Sequence, residues 1–121
     1  MTKRILVMGL PGSGKTTFSQ ELVKRLMLKH TVKWFNADAV RKEHNDWDFS
    51  ASGRIRQSVR MRQLADASDY DYVICDFVAP LAEMRHNFKA DWCIWVDTIS
   101  EGRYADTNAA FQEPDVYDFR I

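Results

Sequence analysis

Short apolar runs alternate along the chain with stretches that have the spacing of amphipathic helices. Continuously apolar or nearly apolar runs predict strands buried on both faces of a parallel sheet, at 5–8, 32–35, 72–75 and 91–96. Helical spacing is found at 16–29, 38–44, 52–67 and 81–88. A fifth strand is predicted at 116–119, and the polar segment 102–113 is predicted to be irregular. This alternation predicts an α/β fold with a mainly parallel, doubly wound sheet of about four to five strands.

Polar candidates follow the predicted strands at the sheet edge where ligands bind in such folds. A Gly-rich stretch follows the first strand, Asn36 and Asp38 follow the second, Asp76 the third and Asp97 the fourth. Their shared position indicates a site at the carboxyl ends of the strands.

Composition limits the classes of function. A length of 121 residues predicts one domain over residues 1–121, and 45% apolar residues can supply its core. Seventeen basic side chains balance 17 acidic ones, so no general attraction to nucleic acid or to a membrane is expected. The apolar run near the N-terminus is too short for a signal peptide or a membrane span, which predicts a cytoplasmic protein. Cys75 and Cys93 are expected to be buried free thiols, and no zinc-ligand spacing is visible.

The most specific motif lies between the first strand and the first helix. Residues 9–16 read Gly-Leu-Pro-Gly-Ser-Gly-Lys-Thr and match G-x-x-x-x-G-K-[ST]. The glycines allow backbone amides to converge on phosphate oxygens at a helix N-terminus. Lys15 is expected to reach the β- and γ-phosphates, and Thr16 to offer its hydroxyl to Mg²⁺. The motif predicts a three-layer P-loop NTPase fold whose nucleotide site comprises Gly9, Pro11, Gly12, Ser13, Gly14, Lys15, Thr16 and Thr17.

The P-loop alone leaves the reaction open, since kinases, GTPases and motor ATPases share it. No guanine-reading Asn-Lys-x-Asp occurs, and the chain is short for a motor. A small kinase that uses ATP with Mg²⁺ as cofactor is therefore predicted.

Several segments resemble the adenylylsulfate kinase (APS kinase) family, from Ile5 to about Thr98. The family's P-loop is similar to residues 9–17, its Asp-Gly-Asp-x-x-Arg to 36–41, and its Asp-Leu-Gly-Phe-Ser to 46–50. Its Ile-Ser-Pro turn resembles 78–80, and its Val-Asp-Thr resembles 96–98. Such kinases move the γ-phosphate of ATP to the 3′-hydroxyl of adenosine 5′-phosphosulfate (APS).

The resemblance implies roles for the residues that match. Asp38 would assist the acceptor hydroxyl or hold a magnesium-bound water, and with Lys15 it forms the predicted catalytic pair. The acceptor would be bound by Asp38, Arg41, Phe49, Arg54 and Gln57, with Phe49 stacked on its base. The sequence departs from the family at Asn36, at Gly53 and in the short stretch that replaces a basic lid.

Each candidate also has a structural alternative. Asp38 could be the N-cap of a helix. Asp76 is a Walker-B-like candidate for Mg²⁺ or part of a strand-end turn or cap. Phe49 is a stacking ring or a core aromatic, and Trp47 has the same two readings. Arg103 is a weaker candidate for contacting adenine or phosphate, while the shared helix predicts a solvated surface for Arg56, Arg60 and Arg62.

The sequence therefore predicts a phosphotransferase acting on ATP and a small-molecule acceptor, with no membrane or nucleic-acid partner and a homodimer as a further expectation. Two alternatives stay open. One is a kinase of another nucleoside, nucleotide or polynucleotide 5′ end, and the other is a nucleotide-binding module with little catalysis, which the missing lid favours.

Overall fold

The computed structural model describes residues 2–102 and 104–121, and its centre is a sheet of five parallel strands. The strand order is β2-β3-β1-β4-β5, with every pairing parallel. The strands are β1 Lys3–Met8, β2 Val32–Asn36, β3 Tyr72–Asp76, β4 Trp92–Trp95 and β5 Phe119–Arg120. The helices are α1 Lys15–Leu26, α2 Ala37–His44, α3 Ala51–Asp66, α4 Ala82–Phe88 and α5 Ala105–Ala110. The predicted α/β fold with a parallel sheet is confirmed.

The sheet is buried on both faces, which explains the continuous apolar runs. In β1, Ile5 and Val7 pack with α1 on one face, while Leu6 and Met8 pack on the other with residues of α3 and α4. Alternate residues of a strand point to opposite faces, so a strand covered on both sides must be apolar at every position. Helices on both faces give the three layers expected from the sequence.

Two predicted elements differ from the observed ones near the C-terminus. The segment predicted to be irregular contains the short helix α5, and the fifth strand lies at Phe119–Arg120 rather than at 116–119. Helix α5 is polar and only 6 residues long. Its position is held by tertiary contacts described below, which local periodicity does not reveal.

The cysteines are free, as predicted, but only Cys75 is fully buried and Cys93 is partly exposed. Among the described residues, the helices are all too short or too polar to cross a lipid bilayer.

Candidate active site

The P-loop joins β1 to α1 at the carboxyl edge of the sheet. Gly12 and Gly14 have φ values of 86° and 99°, a left-handed conformation that favours glycine. The Ser13 amide donates to the Leu10 carbonyl at 3.1 Å, whereas among the described residues the Gly12 and Gly14 amides have no backbone acceptor. The loop therefore presents amide donors at the start of α1, where the helix dipole also favours an anion.

Two contacts fix the loop from the side of β4. A Cβ atom on Gly9 would lie 2.5 Å from the Val96 carbonyl oxygen, so only glycine fits there. The Thr98 hydroxyl donates to the Ser13 carbonyl at 2.5 Å. Gly9 and Ser13 are therefore buried residues that shape the loop. Lys15 Nζ donates to the Leu10 carbonyl within the loop at 3.0 Å.

A cleft of about 750 Å³ opens beside this loop. Most of the predicted site residues line it, on both the nucleotide and the acceptor side: Pro11, Gly12, Gly14, Lys15, Thr16, Thr17, Asp38, Arg41, Phe49, Arg54, Gln57 and Asp76. Gly9 and Ser13 are buried within the loop and do not line the cleft, and Arg103 lies outside the described residues. The fold thus brings residues from β2, β3 and the first three helices to one concave site.

Asp38 lies in the first turn of α2 and lines the cleft with an exposed side chain. The N-cap of α2 is Asn36, whose Oδ1 accepts from the Ala39 amide at 3.0 Å. The alternative reading of Asp38 as the N-cap is therefore wrong, and its carboxylate stands at the edge of the cleft that holds the P-loop lysine.

Asp76 is the last residue of β3 and is only 2% exposed. Its carboxylate accepts from Trp34 Nε1 at 2.6 Å and from Asn36 Nδ2 at 3.0 Å. Burial raises the pKa of Asp76 above its usual value, and these hydrogen bonds together with the charge of Lys15 oppose the rise. The carboxylate borders the cleft next to the P-loop.

The oxygen donors beside the P-loop have the chemistry that Mg²⁺ requires. The Thr16 hydroxyl and the Asp76 carboxylate are hard donors linked by Asn36, whose Nδ2 also donates to Thr16 Oγ1 at 3.2 Å. These two oxygen donors therefore fit a magnesium ion. Within the described part of the chain, no group of three or more His, Cys, Asp or Glu residues could hold a metal ion.

Arg41 holds the loop at 46–49, whose Trp47 and Phe49 form part of the cleft wall. Its buried guanidinium donates from Nη1 to the carbonyls of Asp46 and Asp48, and it lies 4.3 Å from the centre of the Phe49 ring. Burial lowers the pKa of Arg41, and the nearby Asp46 carboxylate opposes that change. Phe49 is 50% exposed and lines the cleft, so the alternative of a core aromatic is wrong. Trp47 is 51% exposed in the same wall.

Arg56 and Arg60 of α3 hold the same loop by binding the Asp46 carboxylate. Asp46 accepts from Arg56 at 2.9 and 3.0 Å and from Arg60 at 2.9 Å. These hydrogen bonds lower the pKa of Asp46 well below its usual range. The prediction of a purely solvated surface is wrong for Arg60, which is mostly buried and also donates to Gln57 Oε1 at 2.7 Å. Arg56 is half-exposed but paired in the same way.

Gly53 explains one departure from the family pattern. A Cβ atom there would lie 2.2 Å from the Asp48 carbonyl oxygen, so α3 packs directly on the loop backbone. The tight contact leaves no room for the aspartate that the family carries before the arginine.

The two remaining acceptor candidates line the cleft and make internal hydrogen bonds. Gln57 is 4% exposed, and its Nε2 donates to the Ala37 carbonyl at 3.1 Å. Arg54 Nη2 donates to Asp106 at 3.1 Å and to Thr107 at 2.9 Å, which ties α3 to α5.

Sequence reasoning missed several side chains that shape the site. The predicted irregular segment contains Asp106 and Thr107, which bind Arg54. Trp34 precedes Asn36 by two residues and therefore shares its face of β2, a signal that could have identified it. The pairing of Asp46 gave no such signal, because its partners are ten and 14 residues away on α3.

The parallel three-layer fold and the P-loop define this protein as a member of the P-loop class. A family model described as adenylylsulphate kinase matches residues 1–97, so the chain belongs to the adenylylsulphate kinase family and is a P-loop kinase, a transferase. The resemblance predicted from the motifs is confirmed. No curated protein matches the sequence.

Solved structures share the fold at low sequence identity. The crystal structure of APE1195 has a TM-score of 0.86 at 20% identity, covering 99% of this chain and 84% of that one. The Mycobacterium tuberculosis APS kinase CysC in complex with AMPPNP and APS has a TM-score of 0.77 at 23% identity, with 99% and 87% covered. A gluconokinase from Sinorhizobium meliloti 1021 has a TM-score of 0.71 at 12% identity, with 98% and 81% covered. At these identities the likeness concerns the fold.

Proposed function

We propose that the protein transfers the γ-phosphate of ATP to a hydroxyl of a small anionic acceptor, with APS as the acceptor that the family suggests. The observation that carries the proposal is the convergence of the P-loop and Asp38 on one cleft. A triphosphate on the loop amides would direct its terminal phosphate into the space that Asp38 borders. A kinase needs an acidic or orienting group for the attacking hydroxyl at this place.

The proposed reaction depends on positioning and charge. Lys15 and the loop amides bind the β- and γ-phosphates, and Asp38 accepts a hydrogen bond from the acceptor hydroxyl. That hydroxyl oxygen attacks the γ-phosphorus as the bond to the bridging oxygen of ADP breaks, and its proton passes to Asp38. Fixed donors around the transferring phosphoryl group stabilise its charge without reorganisation.

The metal in this proposal is Mg²⁺ bound with ATP. Thr16 would bind it through the hydroxyl, and Asp76 through a bound water. When bound, the ion neutralises charge on the β- and γ-phosphates. The described residues offer Mg²⁺ few ligands of their own. We therefore expect weak binding of Mg²⁺ without nucleotide.

The acceptor side would combine a ring with positive charge. Phe49 offers an exposed face for a planar group, and Arg54 offers a guanidinium suited to a phosphate or sulfate. Arg41 and Gln57 are engaged with the loop and with α2, so we assign them to shaping this wall as well as to contacting the acceptor. A cytoplasmic location and a homodimer remain parts of the proposal.

The alternatives from the sequence are other acceptors and a binding module with little turnover. A short helix, α5, follows the Val-Asp-Thr stretch in place of the long basic lid that the family carries. Lids exclude water and complete the site in many kinases. This observation keeps the binding module as the second candidate.

An acceptor panel separates these functions. The protein is incubated with ATP and Mg²⁺ plus APS, gluconate, a nucleoside, a nucleotide or an oligonucleotide with a free 5′-hydroxyl, and ADP is measured. ADP that depends on APS supports the proposal. ADP that depends on another acceptor keeps the kinase and overturns APS. Binding of ATP in calorimetry without ADP from any acceptor favours the module, and no heat from ATP with Mg²⁺ overturns every version.

A further inference from the structure

The side chain of Asn36 contacts three different elements of the site. Its Oδ1 accepts from the Ala39 amide at 3.0 Å and so caps α2. Its Nδ2 donates to both carboxylate oxygens of Asp76, at 3.0 and 3.3 Å, and to Thr16 Oγ1 at 3.2 Å. One amide thus links the end of β3, the start of α1 and the start of α2.

The strand register explains how Asn36 and Asp76 meet. They are paired neighbours at the ends of the parallel strands β2 and β3. Trp34, two residues earlier on the same face, donates from Nε1 to Asp76 Oδ2 at 2.6 Å. The Asp76 carboxylate is therefore held by two side chains of one strand, which fix its rotation. A carboxylate has about four lone-pair sites, so these bonds leave capacity for a metal-bound water.

We propose that Asn36 is a positioning residue for the metal side of the site. It holds the Thr16 hydroxyl and the Asp76 carboxylate at the spacing that nucleotide-bound Mg²⁺ needs. The inference rests on the proposed function, because Thr16 and Asp76 are assigned to the metal there. Groups that orient metal-binding residues commonly change metal affinity roughly 10–100-fold when they are replaced.

An amide suits this position better than a carboxylate. Asn36 donates towards Asp76 and Thr16 and accepts from Ala39. An aspartate here would still accept from the Ala39 amide but would place a second negative charge beside Asp76, and like charges on paired strand residues repel. The donor on Asn36 is therefore the feature that the inference needs.

A purely structural role for Asn36 has a different consequence. Capping α2 explains the contact with Ala39 but not the three hydrogen bonds from Nδ2 to Asp76 and Thr16. Loss of a cap lowers stability and leaves the metal dependence of nucleotide binding unchanged. The decisive measurement is therefore the gain in ADP affinity that Mg²⁺ provides, compared at equal folding.

Asn36→Ser separates the two roles. Serine is a good N-cap, but its hydroxyl is too short to reach Asp76 or Thr16. Calorimetry measures ADP binding with and without Mg²⁺, and Mn²⁺ titration followed by electron paramagnetic resonance measures metal binding to the ADP complex. We expect the variant to bind ADP without metal as tightly as the wild type does. The increase in ADP affinity on adding Mg²⁺ should be smaller by roughly 10-fold or more. Asn87→Ser, on the exposed side of α4, is the matched control and should equal the wild type.

Two further variants make the result decisive. Asp76→Asn tests the proposed metal role itself. If Asp76→Asn keeps the full gain in ADP affinity from Mg²⁺, the metal role of Asp76 is wrong. If Asp76→Asn loses that gain while Asn36→Ser keeps it, only the present inference is overturned. Asn36→Asp keeps an acceptor for the Ala39 amide but removes the donor to Asp76 and Thr16. If Asn36→Ser does not fold, a similar loss of the Mg²⁺-dependent gain in ADP affinity in Asn36→Asp supports the inference, and a wild-type gain overturns it.

Discussion

Arg54 on α3 donates from Nη2 to the Asp106 carboxylate on α5 at 3.1 Å, and both residues line the cleft. Asp106 is 72% exposed at its side chain, whereas Arg54 is only 12% exposed. A pair with one partner this exposed contributes little to stability. The Asp106 carboxylate binds the same guanidinium that we assign to the anionic group of the acceptor.

Replacing Asp106 by Asn should strengthen acceptor binding. The variant removes the internal carboxylate that competes for Arg54, so we expect a lower KM for the acceptor with an unchanged kcat. Steady-state ADP formation at varied acceptor concentration measures both. Glu83→Gln removes an exposed carboxylate of α4 and should change neither value. An unchanged or higher KM in Asp106→Asn would show that Arg54 does not exchange partners.

Lys15→Ala should remove most of the turnover and keep the fold. We assign the ammonium group to the charge that develops on the transferring phosphoryl group, and removing one such donor commonly costs about 100-fold or more in kcat. Turnover is followed by ADP release and folding by thermal denaturation. Lys24→Ala removes an exposed lysine of the same helix and serves as the control. Wild-type turnover in Lys15→Ala would refute the assignment of the P-loop.

Phe49→Leu should weaken binding of an acceptor that carries a nucleobase. The exposed ring lies on Arg41, and stacking of a base on such a ring contributes about 1–3 kcal/mol. We expect the acceptor KM to rise roughly 5- to 150-fold, as that energy implies, with little change for ATP. Tyr70→Leu replaces an exposed aromatic residue that does not line the cleft. Equal KM values in Phe49→Leu and the wild type would indicate an acceptor without a stacked base.

Asp46 should give stability a dependence on acidic pH. Hydrogen bonds from Arg56 and Arg60 lower its pKa in the folded state. Stability from a lowered carboxylate pKa is present above the unfolded value, about 3.9, and is lost as the pH falls below it towards the folded pKa. The difference in melting temperature between the wild type and Asp46→Asn should therefore be largest near neutral pH and shrink below about pH 4.

Thermal denaturation between neutral pH and pH 3 measures this difference. Asp69→Asn removes an exposed carboxylate that contacts no arginine within the described residues, and it controls for the loss of one charge. A gap between the wild type and Asp46→Asn that stays constant with pH would contradict the role of the arginine pairs.

Gly53→Ala should destabilise the protein although alanine favours helices. The added Cβ would lie 2.2 Å from the Asp48 carbonyl oxygen, so the loop must move. Such overpacking costs about 1–3 kcal/mol, more than the gain of about 1 kcal/mol from helix propensity. Chemical denaturation measures the change, with the exposed Gln63→Ala as the control. Stability equal to or above that of the wild type would show that the contact is readily relieved.

The sequence by itself determined the elements whose signals are local. Continuous apolar runs gave β1 to β4 because these strands are covered on both faces, and the glycines with Lys15 and Thr16 gave the phosphate loop because its conformation depends on neighbouring residues. The family followed from the order of short motifs. The helix at 105–110 and the position of β5 were not predicted, since short polar segments carry weak periodicity.

Only the tertiary structure decided which side chains meet across the cleft. The strand register places Asn36 beside Asp76. Because α3 packs on the loop at 46–50, Arg56 and Arg60, which the sequence predicted to be surface residues, bind Asp46. The pairing of Arg54 with Asp106 joins residues 52 positions apart. Such contacts depend on how distant elements pack, so the spacing of residues along the chain does not predict them.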